Sequence, residues 1–198
     1  MVRIRGGFLN KQKTIENILE IEWHMFQRVK SATPAPCQLL PEVFQRIRGS
    51  VYETWPDEAL ESCLIDFEKA QRDGRNLLTE KYAQMDNLIA PMQRNPLIDA
   101  IVAIETRWQE DIRRNYPALY NRVCRGVNPF NDGRNFSVYL RSELQTYSDR
   151  TIDFYYQGVN KALENNDNLA LKSLEALVKK GGYRSIDHAE EYLSKGGS

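Results

Sequence analysis

Glu22, Glu105 and Glu143 each stand inside an otherwise apolar helical stripe: Glu22 between Leu19 and Phe26, Glu105 between Ile101 and Trp108, Glu143 between Leu140 and Tyr147. Lys81 stands in the same way between Leu78 and Met85. Burying an ionised side chain is costly unless it is paired or bound to something. Four such positions in one chain of 198 residues point to a polar site inside a helical domain. A carboxyl in an apolar surround has a raised pKa and can act as general acid or base near neutrality. A lysine there has a lowered pKa and can serve as a base or a Schiff-base nucleophile. Glu22, Lys81, Glu105 and Glu143 are therefore the candidate catalytic groups. Two plainer explanations compete: a stripe border that reaches water, or an ion pair, such as Lys81 with one glutamate, that serves packing alone.

Arg46, Arg48 and Arg141 lie on neighbouring segments, and a guanidinium fork suits a substrate carboxylate or phosphate. The candidate substrate-binding set is Arg46, Tyr82, Trp108, Arg141 and Tyr147, with Arg141 and Tyr147 orienting the substrate. Trp23, Trp55 and Tyr139 either line a pocket or fill the core. A ferritin-like di-iron site wants Glu-x-x-His on two helices. The chain has only His24 and His188, neither three residues after a glutamate, which disfavours that site. No cofactor is expected, although an all-carboxylate magnesium or manganese site stays open. His24 falls on the side of its helix opposite Glu22, and His188 reads as exposed. Two histidines make Ser-His-Asp and Cys-His mechanisms poor fits. Cys63 and Cys124 read as helix-core positions and Cys37 as a loop residue. Phosphate-loop and dinucleotide patterns are absent.

The segments that carry these residues follow helical spacing, with no period-2 strand. Asn10 to about Lys30 is the first helix, stopped by Thr33-Pro34-Ala35-Pro36. Helices follow from Pro41 to about Thr54, from Asp57 to Gln71 with Gly74 as its stop, and from Leu77 to Leu88. Asn95-Pro96 opens a helix to about Asn115, and a short one is expected near Ala118 to Arg125. Gly126 to Gly133 reads as a loop. Asn135 to about Asn165 reads as one long helix that Gly158 could bend. Leu169, Leu171, Leu174, Leu177 and Val178 mark a further amphipathic helix, capped by Gly181-Gly182, and Ile186 to Leu193 adds one or two turns. Gly49 within its helix allows close packing or ligand approach, or kinks the helix.

The expectation is an all-α single-domain bundle of about six to eight helices, with residues 1–165 as core and 166–198 as a short helical extension on or beside it. Hydrophobic residues at 41% and charged residues at 27% suit a folded chain. Lys+Arg and Asp+Glu both number 27, which argues against a general nucleic-acid binder. No apolar run reaches the roughly 18 residues of a membrane span, and Met1 to Phe8 lacks the apolar stretch of a secretory signal. Three scattered cysteines fit a reducing compartment, so a cytoplasmic location is expected. A small-molecule partner is expected, and a homo-oligomer is compatible.

Ile21-Glu22-Trp23-His24-Met25-Phe26, Gly74-Arg75-Asn76-Leu77-Leu78-Thr79-Glu80-Lys81-Tyr82-Ala83 and Ile104-Glu105-Thr106-Arg107-Trp108 form three motifs. A fourth runs from Tyr139-Leu140-Arg141-Ser142-Glu143-Leu144 through Thr146-Tyr147-Ser148. Together they resemble a bacterial domain-of-unknown-function family, family 4125, over about residues 14–160, with the tail outside. The resemblance implies a bacterial, cytoplasmic protein and marks Glu22, Glu80, Lys81, Tyr82, Glu105 and Glu143 as motif positions; it supplies no activity. The leading expectation is an enzyme acting by acid–base chemistry on a small polar or anionic metabolite, with lyase, isomerase and hydrolase not distinguished. The alternatives are a non-catalytic ligand- or protein-binding module and a carboxylate metal site.

Overall fold

The computed structural model describes residues 10–29, 40–126 and 135–196. The expected stop at Thr33–Pro36, the Cys37 loop, the segment before Asn10 and most of the Gly126–Gly133 loop lie outside the described residues. Among the described residues the chain is all helix: α1 (Lys11–Gln27), α2 (Pro41–Tyr52), α3 (Asp57–Arg72), α4 (Leu77–Met85), α5 (Pro96–Asn115), α6 (Pro117–Val123), α7 (Phe136–Leu144), α8 (Asp149–Glu164), α9 (Leu169–Lys180) and α10 (Ile186–Ser194).

The helix boundaries follow local chemistry. Asn10, Asn76, Asn95, Asn135, Ser148, Asn168 and Ser185 each accept a backbone N–H through the side chain and so cap a helix N-terminus. Gly74 ends α3 at φ +69°, with Gly74 N–H donating to Gln71 O and Arg75 N–H to Ala70 O, the paired bonds of a Schellman turn. Asn87, at φ 56°, ends α4 in the same way through bonds to Gln84 O and Ala83 O. The helix therefore stops before Leu88, which is 75% exposed instead of continuing the inner stripe.

The expected single helix over Asn135–Asn165 is two helices, broken at residues 145–148 rather than bent at Gly158. Ser148 starts α8, and Asp66 on α3 accepts from Ser148 N–H at 2.9 Å, Ser148 Oγ at 3.0 Å and Thr151 Oγ1 at 2.6 Å. On the other side Gln93 Nε2 donates to Leu144 O at 3.2 Å and also to Tyr147 O. The backbone groups freed by the break are thus satisfied by two side chains far away in sequence.

Gly158 has a different use. A Cβ there would sit 2.3 Å from Pro56 Cγ, so the glycine lets α8 pass against a rigid ring. A Cβ on Gly49 would meet Leu19 Cδ1 at an ordinary 3.6 Å. Alanine at these two positions should therefore act with opposite signs. Gly158→Ala should destabilise by about 1–3 kcal/mol through overpacking. Gly49→Ala should be neutral or stabilise by up to about 1 kcal/mol. Thermal unfolding of the two variants side by side checks this.

The main core joins Ile15 and Ile18 of α1, Leu60, Cys63 and Phe67 of α3, Ile101 of α5, and Ile152 and Val159 of α8. α1 packs on α2, α3 and α4; α3 and α5 pack on α8; α4 and α5 pack on α7. A second core joins Ile112, Leu119 and Tyr120 to Leu174, Val178, Ile186 and Ala189 of the tail. The tail thus docks: α9 lies on α2 and α5, and α10 on α6 and α9. Glu190 of α10 caps α6 from outside, accepting from Ala118 N–H at 3.0 Å and Leu119 N–H at 2.7 Å. Lys180 ties α9 to α2 through Ser50 Oγ at 3.2 Å and Glu53 Oε1 at 2.6 Å. Glu190→Ala should cost about 1–2 kcal/mol, as for loss of a good cap. Amide hydrogen exchange should show the loss of protection concentrated in α6 and α10 rather than in α1 or α3.

Candidate functional site

Four helices deliver one charged side chain each to a buried cluster. Glu22 comes from α1, Arg48 from α2, Lys81 from α4 and Glu143 from α7, and they are 2%, 8%, 4% and 5% exposed. Arg48 is the hub. Its Nε lies 2.7 Å from Glu22 Oε1, an ion contact without hydrogen-bond alignment. Its Nη2 donates to Glu143 Oε1 at 2.7 Å and to Tyr52 Oη at 2.8 Å. Tyr52 O–H donates in turn to Glu22 Oε2 at 3.0 Å. Lys81 Nζ donates to Glu143 Oε2, and Tyr147 O–H donates to Glu143 Oε1 at 3.3 Å. Two carboxylates and two cations thus share one buried network.

Their proton affinities differ because the cations are shared unequally. Burial raises the Glu143 carboxyl, but Arg48 and Lys81 beside it outweigh burial and hold it down to about 2. Burial raises the Glu22 carboxyl, and its share of Arg48 does not fully offset that. Burial lowers the Lys81 ammonium, and Arg48 lowers it further, against the pull of Glu143. Of the two carboxyls, Glu22 is the one whose proton affinity is raised.

Glu22, Arg48 and Lys81 also line a cavity of about 510 Å³ between α1, α2, α4, α5, α6, α7 and α9. This lies within the usual range for a small-molecule site, about 300–1,000 Å³. The walls are mainly apolar, with Phe26, Phe44, Val51, Ile112, Leu174 and Leu177 among them. Tyr139, also in the wall, carries two cations on its ring: Lys81 Nζ lies 3.6 Å and Arg125 Cζ 4.2 Å from the centroid. Burial raises the Tyr139 hydroxyl pKa, so the ring stays neutral. Cys124 borders the same space at the end of α6, half-buried, with its thiol pushed up to about 12 by burial. That makes it unreactive.

The other sequence-derived candidates divide between this site and the rest of the molecule. Glu105 is buried but lies outside the cavity lining, and it accepts from Tyr155 O–H. Tyr155 stacks on Trp55 at 4.1 Å, and burial pushes the Glu105 carboxyl up to about 7. Tyr82 lines the cavity, and Tyr147 touches the site through Glu143. Trp108 is core. Arg46 is exposed, and Arg141 pairs with Asp99 on the surface. His24 is exposed as expected, whereas His188 is half-buried with its ring against Tyr183.

The sequence pattern puts Arg46 in the site, and the fold puts Arg48 there. On α2 Phe44, Arg48 and Tyr52 are buried at i, i+4 and i+8, whereas Arg46 is exposed. That spacing was the signal for choosing Arg48 over Arg46 and for Tyr52, which the sequence reading left out. Tyr155 was hidden because the break before α8 resets the helical phase and turns Tyr155 inward beside Ile152 and Val159.

Among the described residues no three of His, Cys, Asp and Glu gather as a metal-ligand set. The Glu143 oxygens are taken up by Arg48, Lys81 and Tyr147, which leaves little donor capacity for a cation. No helix among the described residues is long and apolar enough to cross a membrane. A search of the curated proteins finds no match to this chain, and neither does a search of the solved structures. The tail, which the four sequence motifs leave out, lies largely inside the family match. The family model described as "Protein of unknown function (DUF4125)" matches residues 12–191, and the chain belongs to that family.

Proposed function

We propose that the protein binds a small amphipathic anion in the α1–α2–α4–α7–α9 cavity and that Glu22 exchanges a proton with it. The observation that carries this reading is the lining itself: Lys81, Arg48 and Glu22 face an otherwise largely apolar space of about 510 Å³. Lys81 meets the anionic group. Of its three N–H donors one is given to Glu143. Glu143 and Tyr52 hold Lys81 and Arg48 in place. Glu22, whose pKa burial raises, is the acid–base group. Glu105 has no part in the chemistry and serves the core beside Tyr155. The reaction class stays at proton transfer on a polar or anionic metabolite, in a bacterial cytoplasm.

A non-catalytic binding module is the second reading. It is favoured by the bonds that tie Arg48 to Glu143 and Tyr52, and Tyr52 to Glu22, as in a network built for rigidity.

A thermal-shift screen against small carboxylates and phosphates, on wild type, Lys81→Met and Glu22→Gln, tests the proposal. The expected result is a stabilising anion for wild type and Glu22→Gln, with no shift for Lys81→Met. Turnover of that ligand by wild type and not by Glu22→Gln supports the enzyme. Binding without turnover supports the module. An equal shift for Lys81→Met contradicts both.

A further inference from the structure

Gln109 of α5 lines the cavity, half-buried, and its amide oxygen is shut off from solvent with no hydrogen-bond partner among the described residues. Leaving a buried acceptor without a donor costs free energy, so native folds retain few of them. A bound ligand that brings a donor removes that cost. The other residue that α5 gives to the cavity wall is Ile112, one turn on and fully apolar. Leu174 and Leu177 of α9, which packs on α5, extend the apolar wall. Gln109 therefore adds a polar point on a helix that supplies none of the four charged residues of the buried cluster. Packing alone does not explain the amide, because methionine fills much the same space without a polar group to satisfy.

We propose that Gln109 is a second contact point for the ligand of this cavity: the anion carries a hydroxyl or carboxamide on its apolar body, and that group hydrogen-bonds the Gln109 amide. This rests on the cavity being the binding site. It adds the class of ligand and the residue that selects for it. A primary amide offers an acceptor and two donors, and rotation about its terminal torsion brings either side to the ligand. A hydroxyl and a carboxamide each both donate and accept, so each matches it. A methyl group leaves the amide oxygen orphaned.

The test is titration calorimetry with hexanoate, octanoate and decanoate against the same acids carrying a terminal hydroxyl or a terminal carboxamide. At one or more chain lengths wild type should bind a polar-ended acid about threefold to tenfold tighter than the plain acid, as one net hydrogen bond allows. Whichever end group gains identifies the ligand class. In Gln109→Met the order should reverse, because the polar end is then buried without a partner, while the plain acids bind about as before. Gln109→Met should unfold at the wild-type temperature or above, since it removes an unsatisfied acceptor at nearly constant volume. Plain acids that bind as tightly as both polar-ended sets, or more tightly, at every length overturn the inference and leave the cavity reading standing. A polar-end preference that survives in Gln109→Met also overturns it. So does a Gln109→Met protein that no longer unfolds cooperatively, which makes the amide part of the core. Failure of every acid to bind overturns the cavity reading itself.

Discussion

Arg48→Met should lower the free energy of unfolding by about 3–5 kcal/mol, the usual loss when one partner of a buried ion network is removed. Arg48 is the only group that contacts both Glu22 and Glu143 as well as Tyr52 among the bonds described. Without it, two carboxylates share a buried space with Lys81 alone, and Glu22 loses its nearest cation. Methionine fills much of the arginine stem, so the loss is electrostatic rather than a cavity effect. Arg48→Lys should recover only part, because an ammonium cannot reproduce the fork that spans the two carboxylates. Urea unfolding followed by circular dichroism gives the value, with a lower midpoint and an unchanged slope. A loss below about 1 kcal/mol would mean that the network is solvated like a surface pair.

Glu105→Gln should make the protein more stable above neutrality and leave it almost unchanged near pH 4. The Glu105 carboxyl is raised from an ordinary 4.5 to about 7 by burial. In the unfolded chain it ionises near 4.5; in the fold it keeps its proton until about 7. Between these values the folded state binds more protons than the unfolded one, so stability falls as pH rises. Below the lower value the group contributes no slope. Above the upper value the full penalty applies, on the order of 3 kcal/mol by linkage. Glutamine cannot ionise, yet its amide oxygen can still accept from Tyr155 O–H. Unfolding free energies of wild type and variant should therefore diverge from about pH 5 upward and run parallel above about pH 8. A variant less stable than wild type at pH 8 would show that the ionised carboxylate is the stabilising form. Glu143 has the opposite sign. Held down to about 2, it contributes stability that is present above its ordinary 4.5 and is lost as pH falls towards 2.

Much of the architecture was legible as pattern. Asn95-Pro96 and Gly74 mark boundaries by rules that act within one turn, and the structure keeps them. The inward charges were legible too, since Glu22, Lys81, Glu105 and Glu143 are all buried. How they sort among one another was not. Glu105 is a neighbour of Tyr155 rather than of Lys81 because α8 begins afresh at Ser148, and that break is fixed by Asp66 and Gln93, 82 and 54 residues from the backbone groups they hold. Arg46 and Arg48 differ by two positions on one helix; the spacing favours Arg48, and the packing of α1 and α9 on α2 sets which turns inward. The tail reads as an appendage from its composition. Its role in the cavity depends on α9 crossing α2 and α5, which no local pattern encodes.

The most direct measurement is titration calorimetry of octanoate against wild type and Ser173→Phe. Ser173 is half-buried in the cavity wall on α9, a helix that supplies none of the four charged residues of the cluster, so a phenyl group there takes up cavity space. One site on wild type with a negative heat-capacity change, lost in a Ser173→Phe protein that still unfolds cooperatively, is the expected outcome. Undiminished binding by the filled variant, or no binding by wild type, would contradict the assignment of this cavity as the ligand site.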